Sequence, residues 1–153
     1  DGTIAENICR FSEEDSEKIV EACQKAGVHE MILGLPEGYD TLINPYSGSL
    51  SAGQRQRVGL ARAIYGNPKL IVLDEPNSNL DDQGETHLLK ALSQMKDAGS
   101  TIIIITHRTS ILSLVDKLMI LKDGMVARFG QRDEILQALS AKSPNITQIQ
   151  NQS

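Results

Sequence analysis

Asp74 and Glu75 stand side by side directly after the apolar run 70–73. Each of two such carboxylates must be solvated, paired or metal-bound, because an isolated ionised carboxylate is costly to bury. One chemistry uses both: the first holds Mg2+ through its water shell, and the second orients or deprotonates a water that attacks a phosphate. His107 follows Ile102, Ile103, Ile104, Ile105 and Thr106 in the same manner, where an imidazole can reach a terminal phosphate and the attacking water. Ser51 and Gly53 open a helical pattern straight after a loop. A serine N-cap, a glycine admitting close backbone approach and the helix dipole behind them make an anion cradle. Each feature also has a plainer reading: an acidic turn, a capping histidine, an ordinary capped helix.

These groups need elements to position them. Ser12, followed by Glu13, Glu14 and Asp15, reads as an N-cap with acidic residues in the first turn. Ile19, Cys23 and Ala26 recur at helical spacing, and Gly27 ends the element. A short helix over 28–33 follows, and 37–49, rich in Gly, Ser, Asn and Pro, reads as loop. From Leu50 the pattern alternates. Helix is expected over 52–65, with Val58, Ala61 and Ile64 on one face, and again over 82–98, with Leu88, Leu92 and Met95 on one face. The run 70–73 is wholly apolar and reads as a strand buried on both faces. Further strands are expected over 101–106 and 118–121, and Lys122-Asp123-Gly124 turns the last of these into 125–129 as a hairpin. A final helix over 133–139 leads to a polar tail. Strands alternating with helices imply a parallel sheet with ligands at the carboxyl ends of its strands, which is where Asp74, Glu75 and His107 fall.

Bulk composition narrows the classes. The chain has 153 residues, 40% of them hydrophobic and 23% charged, as in a globular domain rather than a disordered one. A net charge of −5 with scattered basic residues argues against nucleic acid as a partner. Cys9 and Cys23 form no CxxC and read as buried free thiols. The longest apolar runs are strand-length, far short of the roughly 20 residues of a membrane span. The chain opens at Asp1 without Met, as a trimmed piece would, and the sequon at Asn145 reads as chance.

Taken together the segments resemble ABC-type ATPase domains. Leu50-Ser51-Ala52-Gly53-Gln54-Arg55-Gln56-Arg57 is similar to the signature motif, normally LSGGQ followed by a basic, Gln-containing stretch. Leu70-Ile71-Val72-Leu73-Asp74-Glu75 looks like the Walker B strand with its catalytic glutamate, Ser78-Asn79-Leu80-Asp81 like the D-loop, and Thr106-His107-Arg108 like the switch region. All four stand in the family's order and at about its spacing. Gly2-Thr3-Ile4-Ala5-Glu6-Asn7-Ile8 and Leu35-Pro36-Glu37-Gly38-Tyr39-Asp40-Thr41 are similar to exporters. Ala52 and Asp74-Glu75-Pro76-Asn77-Ser78-Asn79-Leu80-Asp81 resemble the type I secretion branch, which exports proteases and RTX-type proteins.

The resemblance implies an α/β fold, part of a P-loop NTPase (RecA-like) parallel sheet with a helical signature subdomain. The subdomain is expected over 1–66, the C-terminal half of the ATPase core over 67–140 and a flexible tail over 141–153. Two such domains sandwich two ATPs in the family. Ser51, Ala52, Gly53 and Gln54 would then meet nucleotide held by a partner domain. Asp74 would serve Mg2+, Glu75 would be the general base, His107 would hold the γ-phosphate, and Ser78 and Asp81 would lie at the dimer interface. The partners implied are a second ATPase domain, the exporter's transmembrane domain, a membrane fusion protein, an outer-membrane channel and a secreted protein. The implied place is the cytoplasmic face of the bacterial inner membrane, reached through a transmembrane domain missing here, with the piece itself soluble. A soluble ABC ATPase and a stand-alone non-hydrolysing module are the alternatives.

Three departures stand out. No GxxxxGK[ST] P-loop occurs: Lys142-Ser143 supplies only its end, and Ala141 and Leu136 stand where glycines are required. The family's adenine-stacking aromatic and Q-loop glutamine would also precede Gly2. Ala52 adds a methyl where the motif has glycine. The loop Ile43-Asn44-Pro45-Tyr46-Ser47-Gly48 lacks the Glu that exporters usually carry before the signature.

Overall fold

Reciprocal capping starts the first helix. The structure is a computed structural model that describes residues 1–44 and 48–141. Pro45, Lys142, Ser143, Asn145 and the tail expected beyond Ala141 lie outside the described residues. The chain divides into two units, Asp1–Arg108 and Thr109–Ser153. In the first, β1 (Gly2–Thr3) leads into α1 (Ile4–Ile8). The Thr3 hydroxyl accepts from the Glu6 amide at 3.0 Å, and the Glu6 carboxylate accepts from the Thr3 amide at 2.7 Å, a capping box.

Helix α2 (Ser16–Lys25) is capped by Asp15, which accepts from the Lys18 amide at 3.1 Å. This corrects the expectation for Ser12, whose hydroxyl instead donates to the Cys9 carbonyl. A carboxylate wins as a cap because it is the stronger acceptor and suits the positive end of the helix dipole. The hydrogen-bonded Lys18 ammonium in turn holds the Asp15 carboxyl below its ordinary range. Helix α3 (His29–Leu33) follows. The segment expected to be loop then carries a 3-10 turn, Gly38–Asp40, and β2 (Leu42–Ile43), paired antiparallel with β1. The Ile4 amide, donating to the Thr41 carbonyl at 3.0 Å, continues that pairing. Strands of two residues are too short to show alternation.

The remainder of this unit is α4 (Ala52–Ile64), β3 (Leu70–Asp74), α5 (Asp82–Asp97) and β4 (Thr101–Ile105). Strands β3 and β4 pair in parallel, from Leu70 opposite Thr101 to Asp74 opposite Ile105. Helix α4 is the hub: it packs on α1, α2, α5 and β3, burying Val58, Leu60, Ala61 and Ile64. Leu88, Ala91, Leu92 and Met95 form the buried stripe of α5. Strand β3 is buried on one face, not two: Ile71 and Leu73 are 2% and 9% exposed, Leu70 and Val72 56% and 58%. Successive side chains point to opposite faces, and helices cover one face only among the described residues of this unit. On β4, Ile103 and Ile105 are likewise half-exposed.

Cys9 and Cys23 are buried free thiols, as expected, and burial pushes the Cys23 thiol up to about 11. Gly27, beyond the end of α2, has φ +65°, and a Cβ there would lie 2.4 Å from the His87 ring. Gly27→Ala is therefore expected to destabilise the protein by about 1–3 kcal/mol, read as a lowered denaturation midpoint. An unchanged midpoint would show that His87 swings aside without cost.

The second unit holds a 3-10 turn, Thr109–Ser113, then β5 (Lys117–Lys122), β6 (Met125–Gln131) and α6 (Arg132–Ser140). Strands β5 and β6 form the expected antiparallel hairpin, with Asp123 and Gly124 both at positive φ, as a tight two-residue turn requires. Among the described residues the strands form three two-stranded sheets. No described helix is long and apolar enough to cross a membrane.

Candidate functional site

In-register parallel pairing brings the ends of β3 and β4 together. Glu75, one residue past β3, donates its amide to the Ile105 carbonyl at 2.8 Å. His107, two residues past β4, places Nδ1 2.9 Å from Glu75 Oε1. A carboxylate only accepts, so Nδ1 carries the proton in this pair. Nε2 is then an acceptor on the neutral ring and a donor only on the imidazolium. Glu75 Oε2 is buried without a protein partner, and Asp74 beside it is exposed. Glu75 also has φ +46°, a left-handed conformation that non-glycine residues adopt reluctantly.

At the start of α4, the Ser51 hydroxyl accepts from the Gln54 amide at 3.2 Å, and Gln54 Oε1 accepts from the Ser51 amide at 2.7 Å. The Gln54 side chain is thus turned back onto its own helix. The first-turn amides of Ala52 and Gly53, with the Ser51 hydroxyl proton, remain as donors. Ser51, Gly53, Arg57, Asn79, Leu80 and Asp81 line a cleft of about 150 Å³. Asp81 caps α5 by accepting from the Gly84 amide at 2.8 Å, so two helix starts meet at this cleft. Gly53 is there for contact: a Cβ would stand 2.7 Å from the Asn79 carbonyl oxygen. Arg55, exposed on α4, donates to the Leu50 carbonyl at 2.7 Å. Arg57 Nε is buried without a protein partner. A larger hollow, lined by Asp1, Asn7, Ile43, Asn44 and Arg55, contains none of the candidate residues.

The segment 75–81 runs from one cluster to the other, and it is held by residues that the sequence motifs contain but to which no individual role was given. Asn77 is fully buried; it donates to Glu85 at 3.1 Å and accepts from the Thr106 hydroxyl at 3.4 Å. Gln56 donates to the Glu75 carbonyl at 2.7 Å and to the Ser78 hydroxyl at 3.2 Å, and accepts from the Asn79 amide at 3.0 Å. The Arg108 guanidinium donates to the Ser78 carbonyl at 3.3 Å. The available signal for Asn77 was an amide two residues after a carboxylate pair at a strand exit. Gln56 stands in the signature-like stretch, but nothing in the sequence pointed to these contacts, because its partners are 19 to 23 residues away.

Comparison with known proteins adds the rest. The family described as ABC transporter matches residues 2–78. The type I secretion system ATP-binding protein PrsD of Rhizobium meliloti (strain 1021) is 51% identical over 136 residues, which are 88% of this chain and 23% of that protein. The toxin RTX-I translocation ATP-binding protein of Actinobacillus pleuropneumoniae is 40% identical over 120 residues, 78% of this chain and 17% of that one. A solved bacterial Atm1-family ABC exporter with ATP bound superposes with a TM-score of 0.80 at 30% identity, covering 92% of this chain and 25% of its own. The chain thus spans at most about a quarter of the length of these proteins.

Proposed function

Because this chain belongs to the ABC transporter family, as a portion of an exporter's ATPase domain, we propose that it serves the ATP-hydrolysing motor of a type I secretion exporter. The observation that carries this reading is the Glu75–His107 pair at 2.9 Å, at adjoining ends of two parallel strands. Glu75 is the base that takes the proton of the attacking water, and its unpartnered Oε2 is the atom free to receive it. His107 orients that carboxylate and turns to the terminal phosphate when nucleotide is seated. Ser51, Gly53 and the first turn of α4, completed by Ala52 and Gln54, close over nucleotide held by a second ATPase domain, with Ser78 and Asp81 at the junction.

Mg2+ fits the strand exit. It keeps several waters and takes one or two carboxylates beside nucleotide phosphates, and the exposed Asp74 is such a group. Asp74 would hold the ion through water, and the ion would neutralise charge on the phosphates. The proposed setting is the inner membrane of a bacterium. There the exporter's transmembrane domain, a membrane fusion protein and an outer-membrane channel pass a secreted protein outward.

The test is ATP turnover. The full-length protein in lipid is expected to release phosphate from ATP only when Mg2+ is present. The 153-residue chain by itself is expected to show none, since it has no P-loop amides and lysine to hold the β- and γ-phosphates. A full-length protein without Mg2+-dependent turnover would overturn the reading. Loss of its gene should retain an exported protein inside the cell, and unaltered secretion of every protein would refute the type I assignment.

A further inference from the structure

We infer that Gln56 is a positioning residue for the Glu75 base, tying it to the nucleotide-facing end of α4; this rests on the function proposed above. The carboxamide is matched at each of its atoms. Nε2 donates to the Glu75 carbonyl at 2.7 Å, which can only accept, and Oε1 accepts from the Asn79 amide at 3.0 Å, which can only donate. Those two partners fix which end of the amide is oxygen. The second Nε2 proton goes to the Ser78 hydroxyl at 3.2 Å. Gln56 thereby grips both ends of the turn that the Ser78 amide closes onto the Glu75 carbonyl at 3.2 Å.

The turn needs such a grip. Its first residue is Glu75 at φ +46°, and in that conformation the carbonyl direction sets where the carboxylate points. The pairing with His107 orients only the tip of the side chain. The Ile105 carbonyl holds the Glu75 amide, and Gln56 holds its carbonyl, so the residue is fixed on both sides. Gln56 lies within the same helix that Ser51 caps and whose first turn carries Gly53. One side chain therefore links the end of α4 that faces a partner's nucleotide to the base that acts on the nucleotide of its own domain.

The experiment uses the full-length protein, with Gln56→Ala and Gln56→Glu made alone and in a Glu75→Gln background. Turnover and the concentration of ATP giving half-maximal rate are measured for each. Gln56→Ala is expected to lower turnover on the order of 10–10²-fold, with the half-maximal ATP concentration changed less than about twofold. Gln56→Glu, which keeps the acceptor but sets a carboxylate oxygen against the Glu75 carbonyl, should fall at least as far. In the Glu75→Gln background, Gln56→Ala should reduce the residual rate by less than about twofold, because the group it positions is already disabled. Wild-type turnover in Gln56→Ala overturns the inference. So does an equal loss in both backgrounds, or a loss of ATP affinity, either of which marks a merely structural side chain. Full turnover in Glu75→Gln alone would instead overturn the assignment of the base.

Discussion

Glu75→Gln in the full-length protein lowers ATP turnover by about 10²–10⁴-fold, the usual cost of a positioned base, while ATP-dependent pairing of the ATPase domains persists. The substitution is sterically quiet. A glutamine oxygen still accepts from His107 Nδ1, and the backbone bonds to Ile105 and Gln56 are untouched. What is lost is the ability of the atom now buried without a partner to take a proton. Phosphate release under single-turnover conditions measures it directly. A variant retaining turnover within a few-fold of wild type would show that another group activates the water. His107→Ala should also slow hydrolysis, and unchanged rates would leave the imidazole as a simple prop for the carboxylate.

Gly53→Val is expected to lower turnover by roughly 10²-fold through displacement rather than chemistry. Helix propensity alone predicts the opposite, since replacing a helical glycine is worth about 0.5–1 kcal/mol in favour of alanine and a few tenths in favour of valine. The contact decides the sign. A Cβ at this position would sit 2.7 Å from the backbone oxygen of Asn79, and backbone cannot rotate away as a flexible side chain can. Either α4 retreats or the 75–81 segment shifts, and each movement separates Ser51 from Asp81 across their cleft. Gly53→Ala should show a smaller loss of the same kind. An alanine variant as active as wild type would mean that the two backbones part without consequence.

Much of this was legible in the sequence, for identifiable reasons. Helices α4 and α5 carry apolar residues at three- and four-residue spacing, and β3 and β4 are short apolar runs ended by polar groups, so their type and limits are local properties. The meeting of Glu75 with His107 followed from the same pattern: two parallel strands in register must end together. The burial of β3 was misjudged because an apolar run tells what its faces prefer, not what lies against them. Ser12 and Asp15 compete for one helix start, and the contest turns on acceptor strength rather than on residue class. The Thr3–Glu6 box was readable and passed over. Gln56 acts across the tertiary fold on partners 19 to 23 residues away, and Asn77 joins a near partner, Glu85, to a distant one, Thr106, so no short window of sequence contains the whole set.

The bare face of the β3–β4 pair carries a thermodynamic consequence. Leu70, Val72, Ile103 and Ile105 are 50–58% exposed, and full burial of such a side chain is worth ~1.5–3 kcal/mol. Completing the burial of all four would release roughly 3–6 kcal/mol, a sum comparable with the entire 5–15 kcal/mol by which a domain typically exceeds its unfolded state. That energy is a reserve the unit does not draw on while the face stays bare. A segment that covered this face would therefore couple its own binding to the folding of the unit, and its removal would weaken both.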